Sequence, residues 1–239
     1  MICSYTQTYS DNRNELFYFH DKDQTDIYFR NKLDKNYYVF HNSSDNYIQH
    51  IIKSPYFSKV KNMEIIKYNN ITYPHSFYLT LNKIKNDGYS YVAFLQDDVF
   101  SVTENKKIDL LLDYVRKHNF SMLNIENIDI DNSQKVIYDE ELKIYNTNSN
   151  DFLKKKLWAF DDGPYIANVD FLMKYIYDPT YYSSPNIWLA EGYLNKKMEL
   201  HPIERLTTNN VFFRRFNIVG KNNWNRNNEL AILKKMFLS

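Results

Sequence analysis

Tyr91-Val92-Ala93-Phe94-Leu95-Gln96-Asp97-Asp98-Val99-Phe100 runs five apolar residues into two adjacent carboxylates and then back to an apolar pair. A short, unbroken apolar run of this kind reads as a strand buried in a sheet. Such strands normally end in Gly, Pro, Asn or Ser rather than in paired acids. Adjacent carboxylates repel unless a cation shares them, and they fall where open α/β sheets place ligands, beyond the carboxyl ends of the strands. Gln96-Asp97-Asp98 therefore reads as a site for a hard divalent cation, Mg2+ or Mn2+, whose shell is completed by substrate phosphates. The competing reading is an acidic turn that caps the strand without metal.

Working outward, the spacing predicts strands over Ile2–Thr8, Asn36–His41 and Glu64–Tyr68. A helix opens at Pro74, a residue suited to the first turn. Its apolar side is Phe77, Leu81 and Ile84, at i, i+4 and i+7, and Asp87-Gly88 ends it. Ile108, Leu111, Leu112 and Val115 mark the next helix. A further strand is expected over Phe120–Ile128, and a hairpin around Val136–Ile144. Phe171–Ile176 is expected to be helical, and Ser184-Pro185 to open a helix reaching Lys197. Strand and helix alternate through the first half, which points to an α/β fold with parallel strands. No repeat or linker breaks the chain, so a single domain spanning 1–239 is expected.

The 239 residues carry 30 Lys+Arg against 29 Asp+Glu, a net +1, so no global field recruits nucleic acid or an anionic membrane. Only four glycines are present, and none forms a phosphate-cradling Gly-rich loop. Cys3 is the single cysteine, which excludes an intramolecular disulfide and a cysteine-based zinc site. No apolar run reaches transmembrane length and the start lacks the features of a signal peptide, so a cytoplasmic protein is expected.

Other residues carry chemistry less directly. On the helix from Pro185, Glu191 falls in line with Ile187, Leu194 and Met198, at i, i+4, i+7 and i+11. A carboxylate on an apolar face has a raised pKa, as a general base or acid near neutrality needs; otherwise it is an edge residue paired with Lys or Arg. Asp161-Asp162-Gly163-Pro164 reads as a turn whose carboxylates can bind substrate hydroxyls, with Trp158 and Phe160 available to stack on a sugar ring. His201 is either a metal ligand or a structural histidine. Arg214-Arg215 and Lys221 are either phosphate contacts or a solvated basic face. Asp21-Lys22-Asp23 and Asp129-Ile130-Asp131 follow no comparable apolar strand and read as solvated loops.

Together these features resemble the nucleotide-sugar-dependent glycosyltransferases of the GT-A type, with the base composition and missing anchor of a viral or bacterial member. The resemblance covers roughly Ile2–Leu206 and is strongest over residues 89–100. It implies a GT-A (Rossmann-like) α/β domain with a mixed, mostly parallel central sheet flanked by helices. Residues 1–100 would form its nucleotide-binding half and 101–239 its acceptor side. Gln96-Asp97-Asp98 is similar to the family's D-x-D-type motif, which binds Mn2+ or Mg2+ on the donor diphosphate. Asp98 is then the metal ligand and Asp97 lies nearer the ribose, while Gln96 departs from the usual first aspartate. Thr6-Gln7-Thr8-Tyr9-Ser10-Asp11-Asn12-Arg13 resembles the nucleoside-lining loop after the first strand, interrupted by Ser10-Asp11; Thr6, Gln7, Asn12 and Arg13 are its contacts. His41 and Asn42 end the second strand where another nucleoside contact is expected. Trp188-Leu189-Ala190-Glu191 is similar to the late acidic motif, so Glu191 is the expected catalytic base and Asp162 the second choice. Trp158, Asp161 and Gly163 are expected at the sugar or acceptor. The implied activity is metal-dependent transfer from a UDP-sugar or similar donor to a hydroxyl of a glycan or other acceptor, with inversion. The rival classes are a metal-dependent phosphoesterase or nuclease and a non-catalytic α/β binding module.

Overall fold

The computed structural model describes residues 1–9, 14–126, 136–148, 163–176, 204–208, 210–216 and 223–238. Its parallel block is built from β1 (Ile2–Tyr9), β2 (Lys35–His41), β3 (Met63–Tyr68) and β4 (Tyr91–Gln96), in the order β3-β2-β1-β4. Between these strands run α1 (Asn14–His20), α2 (Gln24–Asn31), α3 (Asp45–Ile51), α4 (Pro55–Lys59) and α5 (Tyr73–Asn86). The alternation through the first half thus gives the expected parallel sheet. β5 (Val99–Ser101), α6 (Asn105–Lys117) and β6 (Met122–Asn124) follow. Then come the antiparallel hairpin of β7 (Val136–Asp139) and β8 (Ile144–Asn148), β9 (Tyr165–Asn168) and α7 (Val169–Ile176). The described chain closes with β10 (Glu204–Thr208), β11 (Phe213–Arg215) and α8 (Asn223–Leu238).

Beyond β4 the nine-stranded sheet becomes mixed. β9 lies antiparallel between β4 and β6, β10 runs parallel to β6, and the hairpin completes the order β9-β6-β10-β8-β7. β4 is buried on both faces, as its unbroken apolar sequence requires. Val92 and Phe94 pack beneath α5 with Phe77, Leu81 and Ile84. Tyr91, Ala93 and Leu95 face the other way, toward Ile108, Leu111, Leu112 and Val115 of α6. Leu81 and Ile84 are fully buried; each contributes about 1.5–3 kcal/mol by leaving water. The Thr72 hydroxyl caps α5 by accepting from the His75 N–H at 3.4 Å. At the other end Gly88 takes φ +88°, a left-handed value that favours glycine.

Two sequence expectations need correction. Of the strand expected over Phe120–Ile128, the described residues form it only at Met122–Asn124, residues 127 and 128 lying outside them. The Ile125 N–H still bonds Pro164 O in register with β9, but the Asn124 side chain accepts from the Glu126 N–H at 2.9 Å and turns the chain out of the ladder. Asp23, expected in a solvated loop, is 1% exposed. It caps α2 and binds β5, as described below. The helix expected from Pro185 lies outside the described residues. Among the described residues no helix is long and apolar enough to cross a membrane.

Candidate active site

Because β1, β2 and β4 are parallel, their carboxyl ends lie on one edge of the sheet. The register pairs Tyr9 with His41 and Gln7 with Gln96, so β2 ends level with β1 and β4 stops two residues earlier, which brings Asp97 beside Thr8. β2 and β3 lie on one side of β1 and β4 on the other, which makes the β1–β4 crevice the switch point where such sheets bind ligands. Asp97 and Asp98 form the turn between β4 and β5 at this crevice.

Five contacts fix that turn. The Thr8 hydroxyl donates to Asp97 Oδ2 across the crevice. His20 Nε2, at the end of α1, donates to the Asp97 carbonyl at 2.8 Å. The Phe216 N–H donates to the Asp98 carbonyl at 2.8 Å. β5 pairs antiparallel with β11, setting Arg215 opposite Val99. Finally, Asp23 accepts from the Ser101 N–H at 2.7 Å and from the Ser101 hydroxyl. Asp97 is completely buried and Asp98 is 5% exposed. Two adjacent carboxylates are thus held out of water by a frame drawn from β1, α1, α2 and β11.

His20 and Asp23 in that frame titrate in opposite senses. Burial lowers the His20 pKa from 6.5 to about 4. Nε2 is already committed to a carbonyl, and Nδ1 meets no hydrogen-bond partner among the described residues, so a second ring proton would be stranded. Burial, reinforced by the nearby Asp26 carboxylate, raises Asp23 from 3.8 to about 7 against the hydrogen bonds donated by Ser101 and the Asp26 N–H. Below pH 6.5 the unfolded chain takes up a proton on His20 that the folded one refuses, so stability falls as pH drops toward 4. Between pH 3.8 and about 7 the folded chain keeps a proton on Asp23 that the unfolded one releases, so stability falls as pH rises. The two slopes cancel where they overlap. Asp23→Asn is therefore expected to make the chain more acid-sensitive, and His20→Phe less so, each changing the slope by up to about 1.4 kcal/mol per pH unit. Urea unfolding across this range reads the slopes; profiles parallel to the wild type would refute the assignment.

A cleft of about 630 Å3 opens at the ends of β2 and β3, between the Asn42–Ser44 turn and the Asn69–Thr72 loop. Asn42 ties its walls together. The main-chain N–H of Asn42 bonds Tyr68 O at 2.8 Å, its Oδ1 accepts from the Asn70 N–H at 2.9 Å, and its Nδ2 reaches Ile71 O at 3.4 Å and His41 Nε2 at 3.1 Å. Its φ of +53° is left-handed. Asn tolerates this region, as does Gly, whereas Ala does not. Asn42→Ala should thus be less stable than Asn42→Gly by about 1 kcal/mol, read from denaturation midpoints, and equal midpoints would refute it.

The residues singled out from sequence fall as follows. Gln96, Asp97 and Asp98 stand together at the crevice, and His41 and Asn42 stand at the neighbouring cleft. Thr6 and Gln7 are buried on opposite faces of β1: Thr6 accepts from Arg30 Nη1 at 2.8 Å, while the Gln7 amide bonds Ser76 at 3.0 Å and the Tyr5 hydroxyl. Thr8 is the β1 side chain that reaches the acidic turn. Gly163 precedes β9, whose Phe94–Tyr165 register sets it beside the end of β4. Asn12, Arg13, Trp158, Asp161, Asp162, Glu191 and His201 lie outside the described residues, as do Lys221 and Asp129–Asp131. Arg214 pairs with Glu229 at 3.4 Å and stacks on Phe216, so it is no free cation. Thr8, His20 and Asp23 were not identified from sequence. The hydroxyls of Ser4, Thr6 and Thr8 on one face of an otherwise buried strand were the available signal.

The chemistry of the acidic turn suits a hard cation, but its described residues alone do not complete a coordination shell. Carboxylate oxygens suit Mg2+ or Mn2+, yet among the described residues no three His, Cys, Asp or Glu side chains cluster to hold one.

This fold occurs in proteins of known structure that handle nucleotides and sugars. The chain superimposes on S. aureus TarS 1–349, also solved with UDP, with a TM-score of 0.55 and 12% identity. That match covers 89% of this chain, which spans 59% of the TarS fragment. The mannosyltransferase PcManGT from Pyrobaculum calidifontis, in complex with GDP-Man and Mn2+, matches with a TM-score of 0.53 and 11% identity over 98% of this chain and 63% of that one. A UDP-glucose pyrophosphorylase with bound UDP-glucose matches at 0.50 and 11% identity over 98% of both chains. No protein-family model and no curated protein sequence matches. The chain has a GT-A-type fold, the α/β architecture it shares with these transferases.

Proposed function

We propose that this protein is a metal-dependent glycosyltransferase that uses a nucleoside-diphosphate sugar, a UDP-sugar by preference. The observation that carries the reading is the buried Asp97–Asp98 turn at the β1–β4 switch point of a GT-A-type fold. Residues 1–100 form the nucleotide half, with the cleft at His41 and Asn42 taking the nucleoside and Gln96 and Asp97 flanking the ribose. Asn12 and Arg13 complete the nucleoside side. Asp98, joined by His201, would hold Mn2+ or Mg2+, which when bound supplies charge neutralisation for the departing diphosphate. On the acceptor side, Trp158, Asp161 and Gly163 hold the sugar or acceptor. Glu191, or Asp162 in its place, takes the proton from the acceptor hydroxyl as it attacks the anomeric carbon, giving inversion. The fold supports a second reading, nucleotidyl transfer to a sugar phosphate, because the pyrophosphorylase match spans nearly all of both chains. The low glycine content and the missing phosphate-cradling loop favour sugar transfer.

The test is thermal unfolding with UDP and GDP, with and without Mn2+. Ligand at about 100 times its Kd adds about 2.7 kcal/mol, a rise of roughly 5–10 °C for a domain of this size. The full rise is expected when metal and nucleotide are both present, with nucleotide alone giving a smaller one; no shift with any nucleotide overturns the reading. Release of UDP from a panel of UDP-sugars then separates sugar transfer from nucleotidyl transfer, which would release pyrophosphate from UTP and a sugar phosphate.

A further inference from the structure

We propose that His20 is a positioning residue for the cation site: its Nε2–H fixes the Asp97 carbonyl and thereby the direction in which Asp98 presents its carboxylate. The inference rests on the function proposed above. Asp97 and Asp98 are adjacent, so the peptide whose oxygen His20 binds joins the two residues. Rotating that peptide would swing the Asp98 side chain away from the crevice. The ring itself is immobilised. It stacks on Phe100, two residues beyond Asp98, at 4.4 Å between centroids and 19° between planes, and lies 5.2 Å from the Tyr56 ring. Phe100 in turn packs on Phe216, whose N–H holds the Asp98 carbonyl. The turn is therefore pinned at both of its carbonyls through one aromatic stack. A histidine kept only for packing would not need to direct a ring N–H at the one main-chain oxygen between the two acids. Groups that orient metal ligands without touching the metal typically alter affinity by about 10- to 100-fold when removed.

Two substitutions separate packing from donation. His20→Phe keeps an aromatic ring against Phe100 but cannot donate. His20→Gln loses the ring but can place an amide N–H near the position of Nε2. The experiment is calorimetric titration of the full chain with Mn2+ at saturating UDP, with circular dichroism to confirm folding. His20→Phe is expected to raise the half-saturating Mn2+ concentration about 10- to 100-fold, and His20→Gln to restore it to within about threefold of wild type. UDP binding without metal should be the same in all three proteins. If His20→Phe does not fold, His20→Asn, which draws the donor back from the carbonyl, carries the same expectation. A donor-less variant that binds Mn2+ like wild type overturns the proposal, as does a folded His20→Gln as impaired as His20→Phe. Wild-type protein that binds neither UDP nor Mn2+ overturns instead the function on which the proposal rests.

Discussion

Asp98→Asn is expected to lower sugar transfer by about a thousandfold and to abolish the metal-dependent part of nucleotide stabilisation. The substitution preserves shape and removes one negative charge at the end of β4, where the proposed reaction requires a departing diphosphate to be neutralised. Loss of a single group that stabilises developing charge in an enclosed site typically costs about 100- to 1,000-fold, and losing the cation itself places the effect at the upper end. The fold is expected to survive, because the main-chain bonds from His20 to Asp97 and from Phe216 to Asp98 do not involve the substituted atoms. Turnover of a UDP-sugar and the Mn2+-dependent melting shift should therefore both disappear while circular dichroism is unchanged. Retained Mn2+-dependent stabilisation in this variant would remove Asp98 from the cation site.

Arg30→Met is expected to have the largest effect on stability. Arg30 and Asp26 sit one helical turn apart on α2 and are almost completely buried, with Arg30 Nε 2.9 Å from Asp26 Oδ2. Burial works against the guanidinium, but the Asp26 carboxylate more than offsets it and holds the pKa above its ordinary value. Arg30 also donates to Thr6 at 2.8 Å, and the Tyr56 hydroxyl donates to Asp26 Oδ2 at 3.0 Å. Removing the arginine strands a buried carboxylate, a defect worth about 3–5 kcal/mol. For a chain of this size that corresponds to roughly 6–20 °C in Tm. Adding Asp26→Leu removes the stranded charge, so the double variant should be more stable than Arg30→Met alone. A single substitution costing under about 1 kcal/mol would show that the pair contributes little beyond packing.

This network also explains which parts of the fold were legible in the sequence. β4, α5 and α6 could be read because each buries apolar side chains at a regular period. α2 could not, because two of its buried positions are Asp26 and Arg30, which satisfy each other and which periodicity assigns to solvent. α1 has only seven residues, and Leu16, Phe17, Phe19 and His20 are all buried, so no single polar stripe marks it as a helix. β9 is a four-residue strand whose antiparallel insertion between β4 and β6 is decided by distant partners. At the site, Asp97 and Asp98 stood out because carboxylates directly follow a buried strand. Thr8 and His20 did not, because their partner Asp97 lies 89 and 77 positions away. Asp23 was read as solvated because its acceptor role depends on Ser101, 78 positions further on.

The small two-stranded pairing of β5 with β11 has a consequence for how the molecule is made. The four strands of the parallel block lie between Ile2 and Gln96, and domains fold as their segments emerge. The Asp98 carbonyl, however, accepts from the Phe216 N–H, more than a hundred residues later. The acidic turn thus waits, half-built, while the intervening chain is made, and is closed when β11 pairs with β5. A chain ending before β11 therefore carries the parallel block without the bond that closes its acidic turn.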